Sequence, residues 1–337
     1  MARDFAVGTA SAAPGTKARG YVKVGTRPDG SQLAIPVVVI NGAEDGPVLC
    51  VDAMVHGDEH EGMLALIELT RTIDPRELKG KFIGVPAVNV PAFEAMQRGN
   101  PQDVYIWDLN RNYPGRPDGF LTERIAYLHL NEIVSRADLS ISFHCGANYF
   151  YLIEKVLYEG EDSLELAQSL GPAWDVLWTG ATFGEGTLTG QCLKRGIPAV
   201  SVELGGASGR LPQNFLRNVG TMVAGVENVM RHYGMLTGEA RYAPEWLVIN
   251  ETQVCAQNGG LLLPEPDFEL KRMVKEGTTL LRIYDLFGEE VERITAPFDG
   301  LVMGLRTYPA VHTGDWTLFI GKVVDRLTQL RKGELKR

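Results

Sequence analysis

Val48-Leu49-Cys50-Val51-Asp52-Ala53-Met54-Val55-His56-Gly57-Asp58-Glu59-His60-Glu61-Gly62 is the stretch whose reading decides the fold. Its first eight residues are nearly all apolar, which predicts a strand in a sheet covered on both faces. An imidazole and a carboxylate then follow three positions apart, with small, flexible Gly57 between them. A strand-to-loop turn of this kind aims both side chains at one point. Imidazole nitrogen and carboxylate oxygen are ordinary ligands of a catalytic zinc, which takes three protein ligands and keeps one position for water. His60 and Glu61 are further candidate ligands, and spacing alone does not choose among the four.

Outward from this stretch, strands and helices alternate. Leu33–Ile40 reads as a strand and residues 41–46 as a turn. Gly62–Thr72 carries apolar residues at positions 63, 64, 66, 67 and 69, a helical pattern. Phe82–Val90 reads as a strand. Thr122–Ala137 reads as a helix with Thr122 as N-cap and Ile125, Leu128, Ile133 and Val134 on one face. Leu139–Phe143 is a short strand ending at His144, and Ala199–Leu204 is another, ending around Glu203. Leu216–Tyr233 has a last amphipathic helix pattern, and residues 1–30 look loosely structured. Alternation over 33–235 predicts an α/β fold with a mixed or mostly parallel sheet flanked by helices. Beyond about residue 240, residues 259–264, 278–284, 290–296, 300–305 and 316–321 are short β-like runs separated by turns. The expected division is a catalytic domain over 1–240 and a small all-β domain over 241–337. The rhythm of Ala296-Pro297-Phe298-Asp299-Gly300 and Val311-His312-Thr313-Gly314-Asp315 resembles a lipoyl/biotinyl-carrier β-sandwich, without the carrier lysine motif.

Composition narrows the function. The 337 residues are 45% hydrophobic and 22% charged, with net charge −9, an ordinary globular balance. The short tail 331–337 is the one basic cluster, so a nucleic-acid partner is excluded for want of a basic face. The four cysteines, Cys50, Cys145, Cys192 and Cys255, are scattered and suggest no disulfide scaffold, and Cys50 reads as a buried thiol. No apolar run reaches membrane-spanning length, and the first twenty residues lack a signal-peptide core. A cytoplasmic protein is expected. Oligomeric state stays open, with a homo-oligomer among the options.

Three further clusters carry chemistry. His144, in Ser142-Phe143-His144-Cys145-Gly146, follows a strand and is the best third ligand. His129 reads as a surface or interface residue of its helix, His232 as a dipole-stabilising residue near a helix end, and His312 falls in the β appendage. Asp108-Leu109-Asn110-Arg111 sets a guanidinium fork beside an amide, which suits a carboxylate or an oxyanion. Arg98 lies in a loop-like stretch and offers another positive group. Glu203, before Gly205 and Gly206, suits a buried carboxylate that takes a proton from zinc-bound water and passes it to a leaving amine. His56, His144 and Glu203 all fall at the ends of predicted strands, where open α/β sheets bind ligands.

In this order, His56-x-x-Glu59, Asp108-x-Asn110-Arg111, Phe143-His144 and Val202-Glu203-Leu204-Gly205-Gly206 resemble the succinylglutamate desuccinylase/aspartoacylase family, a branch of the zinc carboxypeptidase-like hydrolases. The likeness covers roughly 33–235, and the β appendage also fits. It implies one zinc per chain on His56, Glu59 and His144, Glu203 as general base and then acid, Asn110 and Arg111 on the substrate carboxylate, and Arg98 polarising the scissile carbonyl. The implied substrate is a small N-acylated amino acid, cleaved at its amide. A metallocarboxypeptidase on short peptides and a non-catalytic binding protein are the alternatives. Gly57-Asp58-Glu59-His60-Glu61-Gly62 further resembles the branch that deacetylates N-acetyl-diaminobutyrate. One departure stands out: Ser142 occupies the place of the acid in the family's more usual Asp-x-His pattern.

Overall fold

The computed structural model describes residues 3–103, 105, 107–179, 184–207 and 212–331; all but Arg331 of the basic tail lies outside them. Among these residues, twelve strands form one mixed sheet. Its centre is parallel. Glu44–Asp52 lies between Lys79–Val85 and Leu139–His144, and Leu139–His144 pairs on its other side with Ala199–Gly205. Leu139–His144 is buried along its whole length, so the alternation of Leu139, Ile141 and Phe143 with Ser140, Ser142 and His144 marks a buried polar face rather than a solvent face. Gln32–Asn41 and Thr16–Thr26 close one side of the sheet in antiparallel pairing.

On the other side, Ala199–Gly205 pairs antiparallel with Phe150–Leu157, which runs parallel to Val176–Trp178. Trp246–Cys255 pairs parallel to Val176–Trp178, and Trp316–Leu327, Gly300–Arg306 and Met273–Val274 follow. Gly300–Arg306 also pairs with Phe150–Leu157. Gly260–Pro264, Thr279–Tyr284, Glu290–Thr295 and Ala310–Val311 make a separate four-stranded sheet. Helix Glu61–Thr72 packs on one face of the large sheet with Pro212–His232, burying Leu66, Leu69, Met222 and Val226. Leu121–Leu128 and Leu188–Lys194 cover the other face over Val39, Cys50 and Ile83.

Several expectations change. The segment expected to be loose over 1–30 is ordered over its described residues, 3–30: Phe5–Val7 pairs with Ala10–Ala12, and Thr16–Thr26 is a full edge strand. Alternating burial of Gly20, Val22 and Val24 carries that strand, a pattern diluted by lysines and glycines. The strand expected over 82–90 spans Lys79–Val85, and Val90–Ala95 is helical because Asn89 caps it and Pro91 occupies its first turn. The strand expected over 48–55 ends at Asp52; Met54 takes a positive φ of 56° and turns the chain out of the sheet. Thr122 is not the N-cap. Helix Leu121–Leu128 begins after Phe120, whose N–H donates to Glu123, while Asp103 accepts from the Thr122 N–H. Beyond Leu128 the chain continues through a wide turn, His129–Ile133, and a tight one, Val134–Arg136.

Candidate active site

The loop after Asp52 is pinned to the chain that follows the next strand. The Val88 N–H donates to Ala53 O (3.1 Å), the Asn89 N–H to Met54 O (2.9 Å) and the Gly57 N–H to Arg98 O (3.3 Å). A Cβ on Gly57 would lie 2.0 Å from the Ala92 carbonyl carbon, so only glycine lets this loop sit against that backbone. The close approach aims His56 and Glu59 inward. His144 arrives from the end of the neighbouring parallel strand.

His56, Glu59 and His144 converge: one donor atom from each lies within 4.8 Å of the others, and all three are buried. His56 Nδ1 is 2.8 Å from one Glu59 oxygen, and His144 Nδ1 is 2.8 Å from the other. Burial raises the cost of charging Glu59, but the two imidazoles outweigh it and hold the carboxyl well below the usual carboxylate range. Burial likewise opposes protonation of His56, but Glu59 prevails and its pKa is raised. The far nitrogen of each ring is also engaged: His56 Nε2 with Asp108 Oδ1 (3.1 Å), His144 Nε2 with Ser142 Oγ (3.2 Å). Two imidazoles and one carboxylate, each ring held from behind, match the donor set of a catalytic zinc. His60 instead packs against Phe93, and Glu61 accepts from the Gly206 N–H (2.8 Å); neither joins the cluster.

Glu203 ends the strand beside His144, in register with it. Its Oε2 is buried and has no hydrogen-bond partner among the described residues. Burial first, and then the Glu59 charge, push the Glu203 carboxyl up to about 7, while His144 and Lys155 pull it down. A carboxylate poised near neutrality suits proton transfer in both directions. The glycines after it have a reason: Gly205 takes φ +85°, and a Cβ there would fall 2.4 Å from Glu61 Oε1.

Arg98 Nε donates to Asp108 Oδ2 (3.1 Å), and its Nη1 lies 3.8 Å from Glu59. Asn110 Oδ1 accepts from the Leu188 N–H (3.0 Å), which anchors the short helical turn Leu109–Arg111. Arg111 is exposed and has no ion-pair partner among the described residues. All these groups line one cleft of about 700 Å³. Its further wall comes from Lys155, Trp178, Glu251, Gln253, Trp316 and Phe319. Lys155 pairs with Glu251, both buried, and its ammonium sits 4.7 Å from the Trp178 ring centre and 5.5 Å from that of Phe319.

Sequence reasoning missed parts of this site. Asp108 bridges His56 and Arg98, although it stood in the quoted Asp-Leu-Asn-Arg cluster. The Lys155–Glu251 pair joins residues 96 positions apart and leaves no local signal. His129 is not a surface residue: it is fully buried, with Nδ1 2.8 Å from Tyr113 Oη, because its turn faces the sheet rather than solvent. His232 engages Tyr242 and Glu165 side chains.

A mixed α/β sheet whose strand ends gather a histidine–carboxylate donor cluster, a separate carboxylate with one buried oxygen and two arginines around one cleft has the layout of a hydrolase. The chain belongs to the succinylglutamate desuccinylase/aspartoacylase family: the model of the succinylglutamate desuccinylase/aspartoacylase catalytic domain matches residues 45–233. It is 30% identical to an N-alpha-acetyl-L-2,4-diaminobutyric acid deacetylase from Halomonas elongata, over 91% of this chain and 92% of that protein. Among solved structures, it is similar to a succinylglutamate desuccinylase from Silicibacter sp. TM1040, with TM-score 0.81 and 26% identity over 91% of this chain and 95% of the other. It is likewise similar to the product-bound ectoine utilization protein EutE from Ruegeria pomeroyi, with TM-score 0.80 and 27% identity over 90% and 95% of the two chains.

Proposed function

We propose that this protein is a zinc-dependent deacylase that hydrolyses the amide of a small N-acylated amino acid. The observation that carries the reading is Glu203, whose Oε2 is buried and without a hydrogen-bond partner among the described residues, beside the His56–Glu59–His144 cluster. His56, Glu59 and His144 hold one zinc ion per chain. When bound, zinc supplies a Lewis acid for a carbonyl and lowers the pKa of water toward neutrality. Glu203 Oε2 accepts a proton from the attacking water and later delivers it to the nitrogen of the leaving amine, so the products are a carboxylic acid and a free amino acid. Arg98, fixed by Asp108, faces the developing oxyanion. Arg111, exposed in the cleft and without an ion-pair partner among the described residues, binds the substrate carboxylate, and Asn110 holds its turn in place.

Residues 1–240 carry the chemistry in this reading, and residues 241–337 shape the entrance through Glu251, Gln253, Trp316 and Phe319. N-alpha-acetyl-diaminobutyrate, named for the Halomonas relative, is the first substrate to test. No helix among the described residues is long and apolar enough to cross a membrane, and the four cysteines are free, which accords with a reducing compartment. We place the protein in the cytoplasm.

The test is release of free amine from a panel of N-acyl amino acids and dipeptides, before and after chelation. Expected is zinc-restorable hydrolysis of an N-acyl amino acid. Release of C-terminal residues from dipeptides with N-acyl amino acids left intact makes the protein a carboxypeptidase instead. Turnover that survives complete metal removal overturns the reading.

A further inference from the structure

Asp52 is fully buried at the end of the strand Glu44–Asp52, in register with Ser142 on the adjacent parallel strand. Ser142 Oγ donates to Asp52 Oδ1 at 2.7 Å. The same oxygen lies 3.2 Å from His144 Nε2, because residues 142 and 144 share one face of their strand. A serine hydroxyl has a single proton. With that proton given to Asp52, the contact with His144 forms only if Nε2 carries a proton and Ser142 accepts it. Nδ1, 2.8 Å from Glu59, is the nitrogen left to face the cluster, and it would offer a lone pair there once a metal ion replaced the proton it shares with Glu59.

A second observation marks Asp52 as more than a stray polar group. Its Oδ2 has no hydrogen-bond partner among the described residues, and neither has His129 Nε2, which faces it at 3.9 Å. Leaving a buried carboxylate oxygen unsatisfied costs about 1–3 kcal/mol, more when charged. A side chain kept at that cost, and spanned by one hydroxyl to a candidate ligand, has the placement of a support for that ligand.

We propose that Asp52, acting through Ser142 Oγ, is the acidic positioning residue of His144. The proposal rests on the reading of His144 as a zinc ligand. The support comes from the neighbouring strand, two bonds removed, so the acidic function is split between a hydroxyl and a carboxylate. His144 keeps its orientation and its donor nitrogen through the pair.

Zinc affinity of the purified full chain, measured by chelator competition, tests it. Ser142→Ala is expected to weaken zinc roughly 10- to 100-fold, the range for lost outer supports of metal ligands. Asp52→Asn is expected to weaken it in the same direction, and Ser142→Thr, which keeps the hydroxyl, to bind zinc within about 3-fold of the parent. A parent that binds zinc tightly while Ser142→Ala binds it equally well overturns the relay and leaves the proposed function standing. A parent that fails to bind zinc overturns the function reading first. Nitrogen NMR of the zinc-loaded parent separates the two further: the His144 proton is expected on Nε2 with Nδ1 on the metal, and a proton on Nδ1 overturns the relay. That measurement needs no variant to fold.

Discussion

On one side of the cleft, His56, Glu59, His144, Arg98 and Asp108 form a dense array in which every charged group engages another. On the other side, Lys155 and Glu251 make one ion pair among Trp178, Phe319 and Trp316. The first wall is built at the ends of central parallel strands; much of the second comes from strands that follow residue 245. In the first, each side chain sets the charge state of its neighbours, so no member changes alone. In the second, bulk and flat surface dominate, and one neutralised pair leaves the wall without net charge. Titratable groups are thereby concentrated at the ends of the central strands, and broad aromatic surface on the opposite wall.

The sharpest way to break this contrast is Glu203→Gln. Turnover is expected to fall roughly 10³-fold with zinc retained, measured by steady-state kinetics beside metal analysis. The same change is expected to stabilise the metal-free protein. The folded-state pKa of Glu203, about 7, lies above its ordinary 4.5, so its contribution to stability is full below about 4.5 and is lost as pH rises through about 7. Denaturation of the two forms at pH 8 is expected to favour the glutamine variant by about 1–3 kcal/mol, and at pH 4 to show little difference. In the parent, activity that needs the Glu203 carboxylate rises with pH across this same window.

Lys155→Met probes the second wall. Stranding Glu251 as a buried unpaired charge is expected to cost about 3–5 kcal/mol in urea unfolding. The Lys155→Met/Glu251→Leu double variant is expected to recover most of that loss, because it removes both charges. A double variant as weak as the single one would show that the pair itself stabilises this wall. Arg111→Met is expected to raise KM roughly 10- to 100-fold, the loss of a charge-assisted contact, with kcat nearly unchanged. Trp316→Ala is the mildest change. It is expected to shift KM about five-fold and to widen the range of acyl groups accepted, in line with the worth of one aromatic contact.

Much of the first wall was legible in the sequence because parallel strands project their terminal residues to one edge. His56, His144 and Glu203 each follow an apolar run, and three neighbouring runs bring them together. The same logic failed where pairing is distant. Lys155 faces Glu203 across Phe150–Leu157, a strand whose mixed composition gave no clear period. The N-terminal strand Thr16–Thr26 was hidden by its exposed lysines and arginine, since an edge strand shows polar residues on its open face. Helix Glu161–Gln168, short and scarcely apolar, was absent from the reading for the same lack of contrast. Ser142 appeared in the sequence only as a departure from a familiar pattern; its meaning depends on Asp52, ninety residues away.

Gly304 lies across from Leu152, and Arg306 from Phe150, in one hydrogen-bonded ladder. During synthesis the strand at 150–157 must therefore wait for about another hundred and fifty residues before one of its partners exists, a delay that slows folding when pairings are distant along the chain. Trp316 and Phe319, which complete the cleft, leave the ribosome later still. The three residues of the His–Glu–His cluster all lie in the first half of the chain, so they are synthesised well before the wall that will stand opposite them.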